Sequence, residues 1–177
     1  MKYSEIKERY WNYYLVLEKE LKEIVEFVSL RKENLETSSN RITSLLLNVG
    51  AEFDFLCKKV CGFSPDSRKN IADYAKILLK QNKNLQKMEI TVLDSELSVF
   101  PFQNWDKRHA SDLFWWEAYT SVKHNRIDNA TKGSLENLVN AMGALYYLKM
   151  YYIKKLADKK DNPEVIDVPI SCSEFFK

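Results

Sequence analysis

Apolar residues recur at helical spacing in five stretches of this chain. Over residues 3–30, Ile6, Tyr10, Tyr13, Tyr14, Leu17, Leu21, Ile24 and Val28 share one face while Lys and Glu fill the other, which predicts one long amphipathic helix. The polar run 31–40 breaks the pattern, and Thr37, Ser38 or Ser39 offers an N-cap for a second helix. That helix reaches about Cys61, with Ile42, Leu45, Leu46, Val49, Phe53, Leu56 and Val60 as its inner stripe and Gly62 as its stop. Ser64, Pro65 and Asp66 read as the start of a third, shorter helix carrying Ile71, Tyr74, Ala75, Leu78 and Leu79. An aromatic-rich fourth helix is predicted over residues 111–123. Ser134 can cap a fifth, running to about residue 157 through Leu135, Leu138, Val139, Met142, Leu145, Leu148, Tyr152 and Ile153. Its Ala141, Gly143 and Ala144 are small enough to let a neighbouring helix approach closely.

One interval changes period. Met88, Ile90 and Val92 alternate with polar residues, and Leu97 and Val99 do so again after Asp94 and Ser95, which predicts a small β-hairpin near residues 88–100. Two strands alone are marginal and must lie against the helices. The pattern as a whole predicts an all-α fold, a five-helix up-and-down bundle with that hairpin. It forms one domain over residues 1–160, followed by an extended, partly mobile C-terminal tail over 161–177.

Composition narrows the picture. A chain of 177 residues, 45% hydrophobic and 29% charged, can bury a core without disulfides or metals. Four glycines and four prolines favour long helices over a turn-rich β architecture. The aromatic share of 13% needs a core or an interface to absorb it, and predicts a homodimer. A net charge of +2 falls short of the footprint of a protein that depends on nucleic-acid affinity. Three cysteines, Cys57, Cys61 and Cys172, read as reduced thiols in a cytoplasmic protein. Cys57 and Cys61 are one turn apart without the further ligands zinc requires, so they read as structural, and neither a metal nor a cofactor is expected. No apolar leader and no membrane-spanning stretch is predicted. Phosphate loops, nucleophile elbows and His-Glu-x-x-His motifs are missing from the sequence.

The candidate chemistry lies in residues 113–126. On a helix, Leu113, Glu117, Thr120 and His124 follow one face together with Trp116 and Lys123. Of the two histidines, His109 and His124, only the second sits in an organised setting, flanked by Lys123 and Arg126 in a cationic group suited to a phosphate or carboxylate. The same cations also suit a helix C-terminus, whose macrodipole favours positive charge. On the second helix, Glu52 and Asp54 can orient His124 from across the bundle, or Asp54 can simply pair with Lys58 on an exposed face. Asn137 and Asn140 either add amides to the same interior or cap local backbone.

These residues carry a resemblance. Residues 34–40 followed by Leu45 and Leu46, then Glu52, Asp54 and Lys58, then Pro101, Phe102 and Trp105, resemble a family of uncharacterised bacterial helical proteins. The strongest mark is Trp115, Trp116, Tyr119, Val122, Lys123, His124 and Arg126, with Ala130, Thr131 and Asn137 after it. The likeness covers roughly residues 35–155 and is distantly similar to the HEPN superfamily. That resemblance implies a helical dimer and a metal-independent ribonuclease of toxin–antitoxin or phage-defence systems, with RNA as substrate. His124, Lys123 and Arg126 would then be catalytic, and Glu52, Asp54, Trp116, Tyr119 and Asn137 would line the site. The sequence departs from the superfamily's signature, an arginine four to six residues before the histidine, because those positions hold Thr120, Tyr119 and Ala118. Two readings follow: a HEPN-like ribonuclease or defence effector, and a non-catalytic homodimeric helical interaction module.

Overall fold

The computed structural model describes residues 5, 7–106, 113–157 and 173–177. Among these lie five α-helices: α1 (Asn12–Phe27), α2 (Asn40–Cys61), α3 (Ile71–Gln81), α4 (Phe114–His124) and α5 (Leu135–Ala157). A π-helical turn, Lys7–Trp11, leads into α1. Strands β1 (Ile90–Thr91) and β2 (Ser98–Val99) form the expected antiparallel hairpin between α3 and α4. None of the described helices is long and apolar enough to cross a membrane.

Local chemistry explains the helix ends. The Ser39 hydroxyl accepts from the Ile42 amide at 3.1 Å and starts α2. Gly62 ends it in the left-handed region, φ 75°, with the Phe63 amide donating back to the Lys58 carbonyl at 2.8 Å. Ser134 caps α5 by accepting from the Asn137 amide. Helix α3 begins later than its proline suggested. Asn70 and Asp73 form a reciprocal capping box that outcompetes Ser64–Pro65–Asp66, which instead closes a turn through Ser67 N–H to Ser64 O.

Helix α2 is the hub and touches every other helix. Tyr10 stacks on Phe55 and Arg41 pairs with Glu23, so α1 runs antiparallel to α2. Phe53 packs edge-on against Trp115 at 4.9 Å and tilted against Trp116 at 5.8 Å, while Gly50 abuts Tyr119, so α4 is antiparallel as well. Helix α5 runs parallel to α2. Ser38 bridges Ser134 at one end, Glu52 meets Lys149 in the middle, and Lys155 Nζ donates to the Val60 carbonyl at the other end. Helices α1, α2, α4 and α5 therefore alternate in direction, down, up, down and up. The hairpin packs on α5 where Gly143 leaves room beside Val99 and Ile90.

The last five residues belong to this core. Lys177 and Thr91 exchange backbone hydrogen bonds at 3.0 Å, the Leu93 amide donates to the Phe175 carbonyl at 2.9 Å, and Phe175 and Phe176 are buried. Buried Glu18 accepts from the Tyr14 hydroxyl, the Ser173 hydroxyl and the Glu174 amide. The loose tail expected over 161–177 does not extend to residues 173–177, because two phenylalanines and a buried carboxylate anchor them. Residues 158–172 lie outside the described residues.

The α2–α4 contact is close enough to test. A Cβ at Gly50 would sit 2.6 Å from Cγ of Tyr119, with the ring itself buried and unable to swing away. Gly50→Ala should lower the free energy of unfolding by about 1–3 kcal/mol despite the helix-favouring substitution, measured by urea denaturation. An unchanged or raised midpoint would show that the two helices are further apart than described.

Candidate functional site

His124 is the last residue of α4, and it is exposed, as are Lys123 and Arg126. The Lys123 ammonium lies over the Tyr119 ring, 5.5 Å from its centroid. Behind this group the loop after α4 is locked by amides. Asn125 Nδ2 donates to Asp128 Oδ2 at 2.6 Å, and Asn129 Nδ2 donates to the Asn125 carbonyl at 2.9 Å. Lys132 Nζ donates to Ser121 Oγ at 3.0 Å and approaches Glu117 at 3.7 Å. The expected shared face divides. Leu113 and Trp116 are buried, Glu117 and His124 are exposed, and the Thr120 hydroxyl bonds back to the Trp116 carbonyl.

The two carboxylates do not join His124. With Gly50 against Tyr119 and α4 antiparallel, His124 falls level with about residue 45 of α2. Glu52 and Asp54 are then about 10 and 13 Å further along the axis, at 1.5 Å per residue. Being two positions apart, they also point about 200° apart around the helix and cannot serve one partner. Glu52 pairs with Lys149 of α5. Asp54 accepts from the Tyr74 hydroxyl of α3 at 2.8 Å and pairs with Lys58 at 3.1 Å. No hydrogen bond or ion pair links either carboxylate to His124. The expectation of an oriented histidine is therefore corrected: α2 and α4 are adjacent, but their register separates these side chains.

The remaining candidates divide too. Trp116 and Tyr119 are core, packed against each other at a tilt of 49° with centroids 4.8 Å apart. Asn137 Nδ2 donates to the Lys132 carbonyl at 3.0 Å and to Ser134 Oγ at 3.1 Å, closing the turn into α5 at the same end of the bundle as His124. Cys57 and Cys61 are free; burial pushes the Cys57 thiol well above its ordinary value and the Cys61 thiol up to about 11, which makes both poor nucleophiles. Among the described residues no group of three or more His, Cys, Asp or Glu is placed to hold a metal. His109 and Cys172 lie outside the described residues.

The pair that sequence reasoning missed is Glu52–Lys149. Lys149 is wholly buried, with its ammonium 5.8 Å from the Tyr10 ring centroid. Desolvation holds it below the ordinary lysine value, and the Glu52 charge opposes that shift. Its signal was available: Lys149 occupies a core position of α5, four residues after Leu145 and four before Ile153. No family model matches the chain, and no curated protein or solved structure matches it either.

Removing one partner of a buried pair strands the other charge. Glu52→Ala should destabilise the fold by about 3–5 kcal/mol, and Lys149→Met combined with Glu52→Leu should recover most of that loss. Without its anion, Lys149 titrates lower still in the folded state than in the unfolded chain. Between those two values the unfolded chain binds the extra proton, so the Glu52→Ala deficit should shrink as pH rises through that window. Urea denaturation at several alkaline pH values measures both effects.

Proposed function

We propose that this chain is a non-catalytic helical interaction module that pairs with a second copy of itself. The observation that carries the reading is the commitment of Glu52 to Lys149 and of Asp54 to Tyr74, which leaves His124 without an orienting carboxylate. A surface suited to self-association lies elsewhere, on α1. Tyr13, Val16 and Phe27 fall within a narrow arc of that helix and are 43%, 52% and 82% exposed. Two free thiols fit residence in a reducing cytoplasm. Light scattering at high micromolar concentration should give the mass of a dimer, and Val16→Glu with Phe27→Glu should convert it to a monomer with unchanged helical circular dichroism. A wild-type monomer at that concentration would overturn the reading.

One observation favours a second reading, the HEPN-like bacterial ribonuclease or defence effector. His124 stands exposed between two exposed cations, so an RNA strand can reach it without any rearrangement. There the imidazole would exchange protons with the ribose hydroxyl, and Lys123 and Arg126 would stabilise the phosphate charge without a metal. Purified protein should then cleave single-stranded RNA in EDTA, and His124→Ala should lower the rate on the order of a hundredfold or more. Equal cleavage by both proteins would identify a contaminating nuclease, and no cleavage would leave the interaction module ahead.

A further inference from the structure

Among the described residues most aromatic rings pack against another ring; Tyr13, Phe27, Phe100 and Phe114 do not. Phe100 and Phe114 are 41% and 37% exposed, and both line the same cavity of about 140 Å³. The cavity lies where β2 and the start of α4 meet the first turns of α5. Val139 lies among its apolar lining, and Asn140, Glu136 and Gln103 supply its principal polar groups.

Asn140 makes this more than a crevice. It is more than nine-tenths buried, and its Nδ2 donates to the backbone carbonyl of Glu136 at 3.0 Å. That fixed acceptor decides which end of the amide is nitrogen, so Oδ1 is the atom left over; it is open to solvent, and no described group donates to it. The Glu136 carboxylate beside it makes no ion pair, and the Gln103 amide makes no side-chain hydrogen bond. The cavity thus brings two half-exposed phenylalanine rings beside two acceptors, Asn140 Oδ1 and the solvent-exposed Glu136 carboxylate, that no described side chain engages.

We propose that this cavity binds an amino-bearing nucleobase, that is, adenine, cytosine or guanine. A cavity of about 150 Å³ accepts a single benzene ring, whereas drug-sized ligands need roughly 300 Å³ or more. The space here, open on one side, takes one ring of a planar base, with the rest of the base and its sugar at the mouth. Phe100 and Phe114 offer stacking faces, and stacking on an aromatic side chain contributes about 1–3 kcal/mol per base. The exocyclic amine donates to Asn140 Oδ1 and to the Glu136 carboxylate, as carboxylates do toward the cytosine amine. Uracil is disfavoured because its single edge donor is flanked by two carbonyls that would face those acceptors. The base can come from a free nucleoside or from a single strand, and both present the same edge.

Calorimetric titration of the full chain tests this with adenosine, cytidine, guanosine and uridine, and with short single-stranded A, C and U oligonucleotides. The amino-bearing nucleosides should bind at least tenfold more tightly than uridine. Phe114→Ala, at a half-exposed position, should weaken them about tenfold, and Phe114→Trp should retain binding. An oligonucleotide that binds more than tenfold more tightly than its nucleoside, with a steep salt dependence, identifies a strand as the source; equal affinities identify the free nucleoside. Equal binding of adenosine and uridine, undiminished binding by Phe114→Ala, or no saturation by any nucleoside at about 10 mM would overturn the proposal. Saturable binding of methylammonium with every base excluded would overturn it as well.

Discussion

A fully buried ammonium has to meet an anion, and in this protein that requirement fixes how the two longest helices lie. Lys149 of α5 finds Glu52 of α2, and the contacts above and below repeat nearly the same sequence offset. The Glu52–Lys149 bond spans 97 positions, and the Lys155–Val60 bond spans 95. A constant offset means two helices running parallel in register, and α1, α3 and α4 are placed against that pair. Replacing the pair by apolar residues of similar size would be nearly neutral, so its value lies more in setting the register than in net stability. With the register set, Glu52 faces α5 and is unavailable to α4.

Helical periodicity made the elements legible because each helix buries one stripe. Ser39, Gly62 and Ser134 could be read as terminal signals because capping is a local property, decided within four residues. The start of α3 was misjudged because two local signals competed, and the Asn70–Asp73 box satisfies more orphan donors than a proline can. The hairpin was legible from alternation alone. The return of residues 173–177 to β1 was not, since pairing across some eighty positions leaves no local mark. Glu18, one turn from Tyr14, lies on the buried side of α1 and receives that returning segment, although its polar character had placed it with the outer face.

The candidate site was legible as a list of residues and illegible as a geometry. Lys123, His124 and Arg126 share one end of α4, as sequence spacing required. Glu52 and Asp54 could be placed beside them only by knowing how far α4 slides along α2, and that offset is set by Gly50, where the absent side chain admits the Tyr119 ring. A glycine in a helix interior ordinarily weakens it by roughly 1 kcal/mol, so close approach of a neighbour is the physical reason to expect one there.

The same reasoning separates two kinds of exposed group on α4. Phe114, Glu117, Ser121 and His124 recur at intervals of three and four and form one outward row about 15 Å long. The aromatic end of the row borders a cavity with acceptors at its wall, and the basic end carries Lys123 and Arg126. Between them Lys132 neutralises Glu117, so the row is not interrupted by an unpaired negative charge. A ligand held only at the cavity would respond to base identity and scarcely to salt, because its contacts are stacking and neutral-edge hydrogen bonds. One held only at the basic end would respond to salt and scarcely to base. Only a chain long enough to cover the whole row would show both dependences together, so the two responses distinguish a site for a single base from a track for a strand.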